Sequence, residues 1–185
     1  MMDVPSNFTL HYSAQAISSR VKELGVEISK WAEHVLLETG KDLLVIPLLR
    51  GGLFFFADLV REIRTSVEIA PLKLSTYNPA TNTKASTSSG LNIEDFQFKG
   101  RHVLVLDDIC DSGQTLHDLT ESSKDFGANE LRTAVLIWRR LGNELFSPNW
   151  VGFEYTGKEW FVGYGMDDRD QWRNLPAIYL INQGK

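Results

Sequence analysis

The sequence predicts an α/β fold, a parallel β-sheet core flanked by helices, and three observations carry that reading. Short, largely apolar runs bounded by polar residues recur at 43–49, 103–106 and 133–138, as strands buried on both faces require. Segments that read as helices fall between and around them, at 17–35, 53–60 and about 113–126. Alternation of the two kinds marks strand–helix–strand units, which build a parallel sheet.

In the first helix Ile17, Val21, Leu24, Ile28, Trp31 and Val35 recur at steps of four and three, so they share one apolar face. The run Leu43-Leu44-Val45-Ile46-Pro47-Leu48-Leu49 follows as a buried strand and ends in Arg50-Gly51-Gly52, before the helix 53–60. A second strand is expected over 67–74. From 76 to 90 the chain is small and polar, and so long a loop inside a compact domain is usually functional or mobile. A third strand spans 103–106, and the helix from about 113 to 126 is stopped by Gly127 as its C-cap. Further strands are expected at 133–138 and 177–181, with 160–164 as one more. Ligands of such sheets bind beyond the carboxyl ends of the strands, which singles out 49–52, 107–115 and the stretch after 138.

The 185 residues fit one domain, and 43% hydrophobic with 11% aromatic content gives enough apolar area to exclude disorder. A net charge of -5 and a pI near 5.4 weigh against broad binding to nucleic acid, which needs a basic face. Cys110 stands alone, which excludes an intrachain disulfide or a Cys-based zinc site and suits a reducing compartment. The longest apolar run, seven residues, falls far short of the about 20 that a membrane span takes. With no basic and apolar leader at the start, the expectation is a cytoplasmic protein with neither nucleic-acid nor membrane partners.

The chemistry is concentrated where the third strand ends, in Asp107-Asp108-Ile109-Cys110-Asp111-Ser112-Gly113-Gln114-Thr115. Adjacent carboxylates at a strand end are not packing residues, because burying unpaired charge costs several kcal/mol. Asp-Ser-Gly-Gln-Thr at a helix start offers free backbone N–H groups, two hydroxyls and a glycine that permits close approach, which together make an anion cradle. A phosphate beside two carboxylates points to a ligand with both phosphate and hydroxyl groups, such as a ribose phosphate. The plainer alternative is an Asp/Ser cap on an ordinary helix.

Residues 103–115 resemble the thirteen-residue phosphoribosyl pyrophosphate (PRPP) signature of type I phosphoribosyltransferases: four apolar residues, two acids, then a loop closing in Gly-x-Thr. Most of the chain resembles the hypoxanthine-guanine branch of that family. Arg20-Val21-Lys22-Glu23-Leu24-Gly25 resembles its first helix, Leu48-Leu49-Arg50-Gly51-Gly52 its pyrophosphate loop, and Phe55-Phe56-Ala57-Asp58-Leu59 the helix after it. Val151-Gly152-Phe153-Glu154 and Phe161-Val162-Gly163-Tyr164, with Asp167 and Arg173, resemble its purine site. The resemblance implies one phosphoribosyltransferase domain over 1–185: a core of about 35–145, a small hood from the N-terminal segment and about 150–185, and a mobile lid of about 75–90. It implies a homodimer or homotetramer that moves the phosphoribosyl group from PRPP to hypoxanthine or guanine, with xanthine a further candidate, and releases pyrophosphate.

Roles follow from that resemblance residue by residue. Asp107 and Asp108 are placed at the ribose hydroxyls, where charged acceptors pair strongly, and as candidate carboxylates for Mg²⁺. Asp111, Ser112, Gly113, Gln114 and Thr115 hold the 5′-phosphate, and Asp111 is also the candidate proton acceptor near purine N7. Arg50 and Gly51 meet pyrophosphate, with a cis peptide expected before Arg50. Thr76 and Tyr77 stand where the closing loop of the family has Ser-Tyr. Asp167 is placed at the purine and, through water, at Mg²⁺, a hard cation suited to carboxylate and phosphate oxygens, and Arg173 at the leaving pyrophosphate. Arg139, Trp160 and Phe161 complete the purine site.

Besides Thr76 in place of Ser, two positions depart from the family. Arg139 stands where a Lys usually meets the purine O6, and its plainer reading is a solvated strand end. Gln114 stands where relatives often carry Lys. The stretch 152–159 approaches the Walker phosphate loop but has Glu159 in place of Ser/Thr and no helix to follow. Cys110 reads as a packing residue and Trp160 alternatively as a core residue. A receiver domain shares the acidic pair but opens with it, whereas about a hundred residues precede it here. An RNA-binding regulator on the same fold is disfavoured by the net charge.

Overall fold

The computed structural model describes residues 3–73, 98–142 and 144–181. Its elements run in chain order as β1 (Phe8–Tyr12), α1 (Ala14–Thr39), β2 (Leu43–Leu49), α2 (Leu53–Leu59) with a 3₁₀ turn (Val60–Glu62), β3 (Val67–Ile69), β4 (Leu72–Lys73), β5 (His102–Cys110), α3 (Gln114–Asp125), β6 (Glu130–Arg139), β7 (Trp150–Tyr155), β8 (Trp160–Val162) and β9 (Ile178–Ile181). The large sheet has the order β3-β2-β5-β6-β7, with every pairing parallel and β4 also pairing with β2. A separate antiparallel sheet of order β1-β9-β8 joins the N-terminal strand to the last two.

Local chemistry sets the first helix. Ser13 accepts the Ala16 N–H at 3.1 Å as N-cap, and Gly40, at φ +66°, donates to the Leu36 carbonyl and ends the helix. The periodic face Ile17, Val21, Leu24, Ile28, Trp31 and Val35 is buried in full. It packs with Phe55 and Leu59 of α2 against Val45, Leu104 and Leu106 on one side of the sheet. Leu116 and Leu119 of α3, with Phe98, cover the other side against Leu44, Ile46, Val103 and Val105. Successive residues of β2 and β5 thus face opposite layers, which is why their sequences are apolar without alternation. Truncating fully buried Leu106 to Ala should cost about 2–5 kcal/mol.

Several expectations are corrected. The strand expected over 67–74 is two short ones, paired to β2 at Leu43↔Val67 and Leu48↔Leu72. Pro71 falls in the break, where it has no N–H to give to the ladder. The strand expected at 103–106 runs on to Cys110 and keeps register with β6 through Asp107↔Val135 and Ile109↔Ile137. The acid pair therefore lies inside β5 rather than at its end. β1 and β7 were not anticipated as strands, and β7, from the segment assigned to the hood, extends the large sheet beside β6. The Walker-like stretch leads from β7 into β8, with no helix. No helix among the described residues is long and apolar enough to cross a membrane.

The topology places the site. From β2 the chain moves outward to β3 and then crosses back to lay β5 on the other side of β2. The order reverses between these two strands, and a crevice opens beyond their carboxyl ends. There Gly51 and Gly52 lie against Asp108 and Asp107.

Candidate active site

The loop after β2 is pressed against the acid pair. The Leu49–Arg50 peptide is cis, as the resemblance implies. A Cβ on Gly51 would lie 2.1 Å from Oδ2 of Asp108, and one on Gly52 would lie 2.8 Å from the Leu48 carbonyl and 3.2 Å from that of Leu106. Neither position has room for a side chain. The glycines let main chain approach where a bulky anion could be held by backbone donors.

Asp107 and Asp108 are half-buried side by side, with the Asp108 N–H donating to Asp107 Oδ1 at 3.0 Å. Burial, then the neighbouring charge of Asp108, pushes Asp107 well above the usual carboxylate range. Burial also raises Asp108, against its hydrogen bonds and the positive charge of Arg173. Such a pair holds more negative charge than its surroundings satisfy, a condition that hydroxyl donors or a hard cation would relieve.

Past Cys110 the chain turns through Asp111-Ser112-Gly113 into α3. Gly113 has φ +77° as the N-cap, and a Cβ there would fall 2.6 Å from that of Phe146, so only glycine suits the position. The Leu145 N–H donates to the Ser112 carbonyl at 2.8 Å and braces the loop from outside. A cavity of about 120 Å³ lies over this turn, lined by Asp107, Ile109 and residues 110–116. It sits at a helix start, where backbone N–H groups lack intrahelical partners. Gln114 is turned aside, with its amide on Asp118 at 2.6 Å. Cys110 is buried and its thiol is pushed up to about 12, mainly by burial, which makes it an inert packing residue.

A second cavity, of about 210 Å³, is lined by Asp108, Ile109, Asp111, Arg139, Trp160, Phe161, Met166 and Asp167. Ile109 and Asp111 line both. Trp160 is 48% exposed, which removes the core reading, and its indole N–H donates to the Asp167 carbonyl at 2.7 Å. Arg139 is no solvated strand end, being 7% exposed. Its Nε donates to Asp111, while its two terminal nitrogens donate to the carbonyls of Gly157 at 2.6 Å and Glu159 at 3.1 Å. The guanidinium lies 4.9 Å from the Phe161 ring centre and 5.6 Å from that of Tyr155. Phe161 is itself buried, so it supports Arg139 from below. Two of the five guanidinium N–H groups remain to donate elsewhere.

The hood adds a charged corner. Arg173 pairs with Asp167 at 2.6 Å and with Asp170 at 3.3 Å, and Asp170 pairs with Arg50 at 2.7 Å. Asp170 was not foreseen: it lies 120 residues from Arg50, and its only sequence signal is the charged run Asp167-Asp168-Arg169-Asp170. Thr76, Tyr77 and the lid of about 75–90 lie outside the described residues. Among the described residues no three of His, Cys, Asp or Glu converge as metal ligands. The carboxylates come in twos, a donor set that fits Mg²⁺ taking its other oxygens from phosphate and water.

Similarity to known proteins agrees with this geometry. The phosphoribosyl transferase domain matches residues 19–169. A hypoxanthine phosphoribosyltransferase of Haemophilus influenzae is 34% identical over 167 residues, covering 90% of both chains. A hypoxanthine-guanine phosphoribosyltransferase of Bacillus subtilis is 32% identical over 170 residues, covering 91% of this chain and 90% of its own. The crystal structure of a hypoxanthine phosphoribosyltransferase from Staphylococcus aureus superposes with a TM-score of 0.79 at 26% identity, over 94% of this chain and 90% of that one.

Proposed function

The chain belongs to the phosphoribosyltransferase family, in its hypoxanthine-guanine branch, and from that premise we propose that it is a purine salvage enzyme. It transfers the 5-phosphoribosyl group of PRPP to a 6-oxopurine, hypoxanthine, guanine or xanthine, and yields the nucleoside 5′-monophosphate and pyrophosphate. One observation carries the reading: the anion cradle and the aromatic pocket meet at Ile109 and Asp111. A ligand with phosphate in one and a flat base in the other must lay its sugar across the end of β5, beside Asp107 and Asp108.

The residues divide the work accordingly. Ser112, Gly113, Gln114 and Thr115 bind the 5′-phosphate, and Asp107 and Asp108 accept from the ribose hydroxyls. Arg50, Gly51 and Arg173 take the pyrophosphate, which must displace Asp170 from both arginines. In the base pocket Arg139 still has N–H groups to give, and Asp111 beside it is an acceptor. Donor next to acceptor complements the O6 and N7–H edge of a 6-oxopurine, and Asp111 is placed to take the proton as N9 attacks C1′. Trp160 stacks on the base. Mg²⁺, held by Asp167 through water and by Asp107 and Asp108, would neutralise the charge building on the leaving pyrophosphate. The protein is read as a cytoplasmic homodimer or homotetramer, and light scattering on the purified chain decides the number of copies. The test of function is pyrophosphate release from PRPP and Mg²⁺ with hypoxanthine, guanine and xanthine in turn. No release with any of them overturns the proposal.

A further inference from the structure

We propose that Asp58 and Tyr164 form a positioning pair that seats the turn carrying Asp167 and Arg173 against the Arg50-Gly51 loop, so that pyrophosphate binding depends on a hydrogen bond outside the site. The inference rests on the pyrophosphate role given above to Arg50 and Arg173. Asp58 lies on α2, the helix that leaves the 50–52 loop, and Tyr164 lies in the turn closed by the Gly163–Met166 bridge. The Tyr164 hydroxyl donates to Asp58 Oδ2 at 2.6 Å across 106 residues of chain. Tyr164 is 6% exposed and takes φ +48°, a left-handed conformation uncommon outside glycine, Asn and Asp. Burial first, and then Asp58, pushes its phenol far above the usual value, so it remains a donor throughout the neutral range. Arg61 holds the other oxygen of Asp58, which fixes the acceptor to α2.

What this hydrogen bond controls follows from the contacts of Gly165. A Cβ on Gly165 would lie 2.1 Å from the Gly51 carbonyl oxygen, so turn and loop meet main chain to main chain. Gly165 also accepts from Arg173 Nη1 at 2.7 Å and donates to the Arg173 carbonyl at 2.9 Å. Arg173 in turn holds Asp167 and Asp170, and Asp170 holds Arg50. A turn that lifts from α2 therefore carries Arg173, Asp167 and Asp170 away from Arg50 and Gly51 together. The base pocket takes only Met166 and Asp167 from this turn, while Arg139, Phe161 and Trp160 come from β6 and β8.

The variants Tyr164→Phe and Asp58→Ala keep ring packing and helix while removing the bond. KM for PRPP and the dissociation constant of Mg-pyrophosphate should each rise about tenfold, the scale of a lost hydrogen bond to a charged group. KM for hypoxanthine should rise less, within about threefold, since the turn lines its pocket only through Met166 and Asp167. Asp58→Asn retains an acceptor oxygen and should recover most of the loss. The double variant should be no worse than either single one. Equal rises in both KM values, or none, overturn the proposal. A readout independent of catalysis is amide exchange in the ligand-free protein. Gly165, Met166 and Asp168 N–H groups, all bonded within the turn, should exchange at least about tenfold faster in Tyr164→Phe while α1 is unchanged. If the wild type transfers nothing from PRPP, the function fails and exchange alone judges the pair: unchanged exchange overturns it.

Discussion

Arg139 and Asp111 are joined as an ion pair on the wall of the base pocket, one from the end of β6 and the other from the turn after β5. The pairing gives the substitution of Arg for the usual Lys a structural meaning. A guanidinium reaches Asp111 and the Gly157 and Glu159 carbonyls at once, which an ammonium on a flexible stem cannot do with the same planar fork. Arg139 thus sets the orientation of Asp111 on the wall of this pocket.

Base choice should follow. Adenine would set its amino donor against the guanidinium, and an unpaired buried donor costs about 1–3 kcal/mol, so hypoxanthine should exceed adenine at least about tenfold in kcat/KM. Arg139→Met should shrink that ratio. An unchanged ratio would remove Arg139 from base recognition.

Trp160→Ala should raise KM for every purine by similar factors, about two- to tenfold, since stacking is worth about 0.5–1.5 kcal/mol and does not distinguish π-faces. Side-by-side kinetics with hypoxanthine and guanine decide it.

Asp111→Asn keeps shape and removes the proton acceptor, so kcat should fall by about 10²–10⁴-fold. Single-turnover rates at the pH optimum measure this without interference from product release.

Asp107 opposes stability. Its carboxyl binds a proton more tightly folded than unfolded, because burial and Asp108 raise it above its ordinary 3.8. Stability is therefore lost as pH rises from about that value through the raised folded one, and the cost persists above it. Asp107→Asn should raise Tm at neutral pH by roughly 2–4 °C, the effect of about 1 kcal/mol in a chain of this size, and leave it nearly unchanged near pH 3.5. PRPP affinity should fall at the same time. Thermal scans at both pH values with PRPP calorimetry check the two halves, and a lower neutral Tm contradicts the sign.

Gly51→Ala and Gly52→Ala should part company. The first Cβ meets only the Asp108 side chain, so Tm should fall less than in Gly52→Ala while PRPP affinity drops about tenfold or more. The second meets the Leu48 and Leu106 carbonyls, which cannot move cheaply, so Tm itself should fall. Calorimetry and thermal scans on the pair separate them.

The parts legible in sequence were those with a local signal. The α1 face repeats at helical spacing, β2 is an unbroken apolar run, and the cradle is a contiguous loop between a strand and a helix. β1 and β7 escaped because Phe8-Thr9-Leu10-His11-Tyr12 and Trp150-Val151-Gly152-Phe153-Glu154-Tyr155 mix polar and aromatic residues, with burial decided by distant partners such as the stacked Tyr12 and Phe153 rings. Asp170 and the Asp58–Tyr164 bond were invisible for the same reason, since each depends on contacts more than a hundred residues apart. Arg139 could be singled out from its position after a strand, but its burial and its hold on Asp111 come from the fold.

The central claim is PRPP-dependent transfer to a 6-oxopurine, and a competition measures it most directly. The protein is given PRPP, Mg²⁺ and equal hypoxanthine and adenine in one vessel, and the nucleotides are identified by mass alongside pyrophosphate. Inosine monophosphate should form with one pyrophosphate each and exceed adenosine monophosphate at least about tenfold. Adenosine monophosphate in equal yield, or no nucleotide at all, would contradict the account.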